Sequence, residues 1–199
     1  MAPRSLKNAP WRDDAIAAVR TLKAGGVILY PTDTVWGLGC CADNAEALDK
    51  LYALKGRKGA QPSLVLVDAE GLLEEYAHPV TEIPWDLLRE SAPESRPMTL
   101  VLPGGRDVAP ALLTEDGSLA IRVVNEPFLQ FILRGIDVPL LSTSANLSGH
   151  PTPGHFSEIK GALRNGVDYA CATGRDRSGN TTSSMVKLDK AGRIEILRP

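Results

Sequence analysis

At 199 residues, 43 % of them hydrophobic, the chain is long enough to bury one sizeable core and short for two ordinary domains. Its 22 Lys and Arg against 24 Asp and Glu leave a formal charge of −2, which excludes a broad positive field for nucleic acid, so any RNA contact must be local. The three cysteines, Cys40, Cys41 and Cys171, are an odd set that excludes a disulfide framework. The apolar runs fall far short of the roughly 20 residues a membrane span needs, so the expected setting is soluble and cytoplasmic.

Residues 1–11 read as a loose arm: Arg4, Lys7 and Arg12 have a faint transit-peptide look, but Asp13 and Asp14 follow at once. Over residues 12–24 Ile16, Val19 and Leu22 recur at helical spacing, and Gly25-Gly26 ends the pattern. Residues 27–30 form a short strand. Gly37-Leu38-Gly39-Cys40-Cys41-Ala42 matches a dinucleotide-binding pattern, yet residues 31–36 separate it from that strand and no acidic strand end follows about 20 residues on, so a Rossmann site is rejected. Asp43 reads as the cap of a second helix, with Glu46 in capping-box register and Leu48, Leu51, Tyr52 and Leu54 as its buried stripe. Lys55 and Arg57 flank its C-terminus, where the helix dipole favours cations in any case.

Residues 63–67 read as a strand, Asp68 as the cap of a short helix to Tyr76, and residues 85–89 as a further helical turn. Strands follow at 98–102 and 119–123, with the Pro103-Gly104-Gly105 loop between them. Asn125, with Pro127 two residues on, opens a helix to Arg134, and Leu140-Leu141 completes a short buried strand. A helix at 158–163 and strands at 169–171, 184–188 and 193–197 finish the chain. This alternation, with some successive strands joined by loops, predicts one α/β domain over residues 1–199, a twisted mixed sheet of parallel and antiparallel strands flanked by helices. There is no internal repeat and no domain linker.

The chain has no P-loop and no Gly-x-Ser-x-Gly elbow. His150 and His155 lack a nearby third ligand, so no fixed metal ligands are expected. Two segments instead suit a polyanion. Lys55-Gly56-Arg57 offers a point charge and a planar fork, and Ser142-Thr143-Ser144-Ala145-Asn146-Leu147-Ser148-Gly149 adds neutral hydrogen bonds. Those serines have no identifiable base, so they bind rather than attack. Pro31-Thr32-Asp33-Thr34-Val35-Trp36-Gly37 sits just past a strand end, where α/β sheets place ligands. Residues 173–184, with Gly174, Arg175, Arg177 and Gly179, read as a lid or a solvated loop.

Taken in order, residues 31–39, Lys55-Gly56-Arg57, Leu119-Ala120-Ile121-Arg122-Val123 and residues 142–149 resemble the YrdC family, the threonylcarbamoyl-AMP synthases, over residues 19–198. The resemblance implies the short, single-domain YrdC-like form. It also implies an enzyme that joins L-threonine, bicarbonate and ATP, accompanied by Mg²⁺, into threonylcarbamoyl-AMP and pyrophosphate. Other proteins then transfer the threonylcarbamoyl group to tRNA, and a weak direct tRNA contact is compatible with this. By matching position, Lys55 and Arg57 become the phosphate clamp and the catalytic cations. Ser144 and Asn146 become nucleotide contacts, with Gln61, Ser118, Thr152 and Arg198 as further ATP contacts. Thr34, Arg122, Ser142 and Ser183 hold L-threonine, Arg122 on its carboxylate.

The chain departs from the family pattern at Glu94-Ser95-Arg96-Pro97, at Leu66 where many relatives place a threonine-contacting histidine, at Val124, and at Ser183-Ser184-Met185-Val186. These departures leave open a related adenylating enzyme that uses another amino acid. A second alternative is a non-enzymatic RNA-binding module with Lys55, Arg57, Lys58 and Arg175 as its basic patch.

Overall fold

A computed structural model describes residues 8–56, 63–90, 96–179 and 182–199. Helix α1 (Arg12–Lys23) buries Ala15, Ala18 and Leu22, and Gly25 turns the chain out of it at a φ of 78°, a left-handed conformation that glycine adopts without strain. Trp11, read from sequence as the end of a loose arm, packs edge-on against Phe128 and Phe131 at centroid separations of 6.0 and 5.8 Å.

The other elements are β1 (Ile28–Tyr30), β2 (Gly37–Cys41), α2 (Ala45–Leu54), β3 (Leu64–Val67), α3 (Leu73–Tyr76), α4 (Ile83–Glu90), β4 (Met98–Leu102) and β5 (Leu119–Val123). After them come α5 (Pro127–Ile136), β6 (Leu140–Ser144), α6 (Gly161–Gly166), β7 (Tyr169–Ala170), β8 (Ser184–Leu188) and β9 (Ile194–Arg198). The strands make one mixed sheet in the order β7-β1-β2-β6-β3-β5-β4-β8-β9. Pairs β1–β7, β3–β5 and β4–β8 are parallel, and the other neighbours are antiparallel.

Side chains alternate between the two faces of a strand. Leu29, Leu38, Leu141, Val65, Ile121, Leu100 and Val186 pack on one face with Leu48, Leu51 and Leu73 from α2 and α3. Ile28, Tyr30, Leu140 and Leu66 pack on the other with Leu22 of α1 and Phe128, Leu129 and Ile132 of α5. Burying each such large apolar side chain is worth about 1.5–3 kcal/mol. Two residues further along on that second face the pattern turns polar: Leu140 is followed by Ser142 and Ser144.

Several local expectations shift. Asn44, not Asp43, caps α2, its Oδ1 accepting the Ala47 N–H at 2.9 Å. Asp68 caps nothing and instead accepts from Arg134 Nε at 2.7 Å, while a 3-10 turn (Glu70–Leu72) leads into α3. Glu126, not Asn125, caps α5 by accepting the Leu129 N–H at 2.9 Å. The helix expected at 158–163 is split into a 3-10 turn (Phe156–Glu158) and α6. Strand β2, which the sequence reading did not expect, occupies the Gly-x-Gly segment: a Cβ on Gly39 would come within 2.6 Å of the Leu141 carbonyl oxygen, so close strand contact requires glycine there.

Candidate active site

Arg122 organises the centre. It is 3 % exposed on β5, and an unpaired guanidinium at that depth would be costly. The turn after β1 supplies its partners: one terminal nitrogen donates to Asp33 Oδ1 at 2.9 Å and the other to Thr34 Oγ1 at 3.2 Å. Thr32 holds this turn in shape, its Oγ1 accepting the N–H groups of Thr34 and Val35 at 3.0 and 3.1 Å and donating to the Val35 carbonyl at 2.6 Å. Arg122 Nε is buried and has no hydrogen-bond partner among the described residues.

Strand β6 contributes Ser142, whose Oγ accepts from the Tyr30 hydroxyl at 2.6 Å, and Ser144, whose Oγ donates to Asn146 Oδ1. The Asn146 amide closes the following loop by donating to the carbonyls of Leu147 and His150 at 3.2 and 2.6 Å. Lys55, the C-cap of α2, is 1 % exposed. Its ammonium donates to the Ser144 carbonyl, and its own carbonyl accepts the Ser148 N–H at 3.0 Å. The lysine thus clamps the start and the end of the Ser-x-Asn loop. Ser148 Oγ, buried beside it, has no partner among the described residues.

From the other side come Ser183, just before β8, and Arg198 in β9. Arg198 donates to the Ser183 carbonyl at 2.6 Å and to its hydroxyl at 3.0 Å, and that hydroxyl also bonds Thr99 Oγ1 at 2.8 Å. Burial, with the charges of Arg96 and Arg122 nearby, pushes the Arg198 pKa below its ordinary value. Two guanidinium groups in one cavity make it a place for anions.

Thr34, Arg122, Ser142, Ser144, Thr152, Ser183 and Arg198 therefore line one cavity of about 230 Å³, with Thr32, Ser63, Leu64 and Met185 among its other walls. Lys55 and Asn146 join it through Ser144. Asn146 and Thr152 also face a neighbouring cavity of about 230 Å³ with His150, Glu158 and Lys160. Ser118 does not line the first cavity: it is buried in the turn before β5, its N–H donating to Thr114 Oγ1 at 2.9 Å. Arg57 and Gln61 lie outside the described residues, as do Lys58, Glu94 and Ser95. Leu66 is wholly buried among the α1 and α5 side chains, and Leu64 is the β3 residue that faces the cavity.

Sequence reasoning missed Tyr30 and Thr99. Both are polar side chains within apolar strands, Tyr30 one residue before a turn and Thr99 one before the core residue Leu100, so a hydroxyl breaking an apolar run was their only signal. Residues 173–179 pack on the site, Gly179 N–H donating to the Gly154 carbonyl at 2.9 Å, and a Cβ there would meet the Thr34 carbonyl oxygen at 2.1 Å. Residues 180 and 181 lie outside the described residues. Burial raises the Cys40 thiol to about 12 and the Cys41 thiol to about 11, which leaves both inert as nucleophiles. Among the described residues no group of three or more His, Cys, Asp or Glu side chains is placed to hold a metal ion, and no helix is long and apolar enough to cross a membrane.

Comparison with known proteins adds four findings. A family model, Sua5_yciO_yrdC, described as telomere recombination, matches residues 20–199. The threonylcarbamoyl-AMP synthase of Pseudoalteromonas translucida is 34 % identical over 181 residues, covering 89 % of this chain and 94 % of that protein. Among solved structures, E. coli YciO superposes with a TM-score of 0.79 at 25 % identity, over 96 % of this chain and 90 % of that one. P. abyssi Sua5 complexed with L-threonine superposes with a TM-score of 0.77 at 25 % identity over 94 % of this chain, which spans 53 % of that protein.

Proposed function

The chain belongs to the Sua5/YciO/YrdC family, and on that footing we propose that it is a threonylcarbamoyl-AMP synthase. It would convert ATP, L-threonine and bicarbonate to threonylcarbamoyl-AMP and pyrophosphate, the first step towards threonylcarbamoyladenosine in tRNA. The observation that carries this reading is the buried Arg122, which lines a hydroxyl-rich cavity with its two terminal nitrogens held by Asp33 and Thr34 and its Nε unpartnered among the described residues. A guanidinium there suits the carboxylate of an amino acid, and Ser142 and Ser183 line the same cavity with hydroxyls. The P. abyssi protein in complex with L-threonine has the same fold.

Held by its carboxylate, the amino acid keeps its neutral amine free to add to the carbon dioxide that bicarbonate releases with loss of water, forming the N–C bond of a carbamate as the amine gives up a proton to solvent. A carbamate oxygen then forms a bond to the α-phosphorus of ATP, and the bond from that phosphorus to the pyrophosphate oxygen breaks. No protein nucleophile takes part. The chain's contribution is to hold two anions together and to offset charge, through Arg198 and, in this proposal, Lys55 and Arg57. Lys55 serves this best by fixing the Ser144 loop on which the nucleotide would lie. Mg²⁺ is proposed as the companion of the triphosphate, where it would offset phosphate charge. Ser144 and Thr152 are neutral oxygen donors of the kind a nucleotide-borne hard cation tolerates. The three free, buried cysteines fit a reducing compartment, and the cytoplasm is the proposed location.

The rival RNA module needs Lys55 as a surface cation, and the lysine is 1 % exposed with its ammonium on Ser144. Arg175 is likewise occupied, lying 4.4 Å over the Phe156 ring. The test is mass spectrometry of the nucleotide formed with ATP, Mg²⁺, L-threonine and bicarbonate, omitting each in turn. A threonylcarbamoyl-AMP signal that needs all of the substrates is expected. Adduct formation with L-serine in place of an inactive L-threonine would establish the different-amino-acid reading instead.

A further inference from the structure

We propose that Tyr30 is a positioning residue that turns the Ser142 hydroxyl into a hydrogen-bond donor to an anionic oxygen of the amino-acid substrate. This rests on the function proposed above and extends it to a residue outside the expected site.

Tyr30 is wholly buried on β1, opposite Gly37 of β2. Its hydroxyl reaches past β2 to Ser142 on β6, two strands away. The path exists because β2 carries glycine on that face at both 37 and 39. A Cβ on Gly39 would stand 2.9 Å from Tyr30 Cε1, and one on Gly37 would stand 3.2 Å from Tyr30 Cζ and 3.4 Å from Ser142 Oγ. The ring therefore lies across two bare α-carbons, and the Gly-x-Gly pattern rejected as a dinucleotide loop has its use here.

Hydrogen-bond accounting gives the rest. A serine hydroxyl has one proton and accepts through its lone pairs. Tyr30 donates and Ser142 accepts, so the Ser142 proton is left to point elsewhere, and among the described residues no acceptor takes it. Burial holds the Tyr30 phenol well above its usual pKa, which keeps it a donor throughout the physiological range. Ser142 is itself buried and lines the cavity that Arg122 lines. A free O–H and a guanidinium in the lining of one cavity select an acceptor that is anionic, such as the carboxylate or carbamate of the substrate. A phenylalanine at position 30 would fill the same space among the α1 and α5 side chains, so the hydroxyl, and not the ring, serves Ser142.

The experiment compares wild type, Tyr30→Phe, Ser142→Ala and the double variant, measuring KM for L-threonine and for ATP, with thermal melting to confirm folding. Tyr30→Phe should raise KM for L-threonine about ten-fold, the effect of one hydrogen bond to a charged group, and leave KM for ATP within about two-fold. Tyr30→Phe added to Ser142→Ala should change nothing further, because the tyrosine acts through the serine. An unchanged KM for L-threonine in Tyr30→Phe, equal losses for both substrates, or additive effects in the double variant would overturn the proposal while wild-type activity stands. A wild type that makes no threonylcarbamoyl-AMP would overturn the functional reading and this proposal with it.

Discussion

Arg122 sets a demanding condition on its surroundings, since its side chain is 4 % exposed and its ion-pair partner Asp33 is 24 % exposed. The pair holds only because the Thr32 turn presents Asp33 and Thr34 together. Replacing Arg122 with Lys keeps the charge but loses the fork, so neither the turn nor the substrate is held in two directions. The expected result is a loss in kcat/KM for L-threonine of about 10²-fold or more, with the protein still folded, since truncating one partner of a buried charged pair is typically this costly. Kinetics with L-threonine varied at saturating ATP would show it, and retention of wild-type efficiency would remove Arg122 from the site. Arg122 was legible through the family resemblance, by its position in Leu-Ala-Ile-Arg-Val, and the assembled sheet adds the partners, Asp33 and Thr34, that let a charge lie buried there. Lys55 was harder to read. A lysine at a helix end has an ordinary explanation in the helix dipole, and only its burial against the Ser144 carbonyl separates the two roles.

At the scale of elements, strands rich in branched residues were legible to the residue: β4, β5 and β8 stand where the apolar runs place them. Strand β2 was not, because Gly37, Gly39, Cys40 and Cys41 carry no strand propensity. Its place between β1 and β6 comes from burial and from the ring of Tyr30, which are properties of the assembled sheet. Helix caps illustrate a second limit. Asp43 and Asn44 are both good capping residues, and only the backbone decides between them, with Asn44 extended at a ψ of 97° and bonded to the Ala47 N–H. Asn44→Ala should therefore cost about 1 kcal/mol in urea denaturation, and Asp43→Ala no more than about 0.5 kcal/mol. The reverse order would place the cap at Asp43, as the sequence reading had it.

Across the whole molecule, the cavity is assembled from the turn after β1, from β5, from the end of β6 and from the β8–β9 pair, so its integrity depends on ties at the distant β7 edge. Asp14 of α1 makes one such tie: Oδ1 accepts from the Tyr169 hydroxyl at 2.6 Å and the Ala172 N–H at 3.0 Å, and Oδ2 accepts from the Thr173 N–H at 2.7 Å. Asp168 makes a second, accepting from the Val27 N–H at 2.7 Å and pairing with Lys50. Burial opposes ionisation of Asp14, but the hydrogen bonds from Thr173, Tyr169 and Ala172 outweigh it and hold its pKa below the ordinary 3.8. Asp168 is lowered in the same way, with burial opposing and Lys50 and the Val27 N–H prevailing. A carboxyl whose folded pKa lies below its unfolded one stabilises fully above the unfolded value, and the contribution disappears as pH falls through the folded value. Stability should thus be flat near neutrality and decline below a pH of about 4. Because Thr173 opens the segment whose Gly179 lies against Thr34, this decline loosens the turn that holds Arg122. Urea midpoints measured from pH 7 to 2 for wild type and Asp14→Asn check the argument. The variant should be less stable at pH 7, where the uncharged amide cannot hold all three donors, and the gap should narrow as the wild-type carboxylate protonates. A gap of constant size down to pH 2 would mean that the Asp14 charge does not hold this edge.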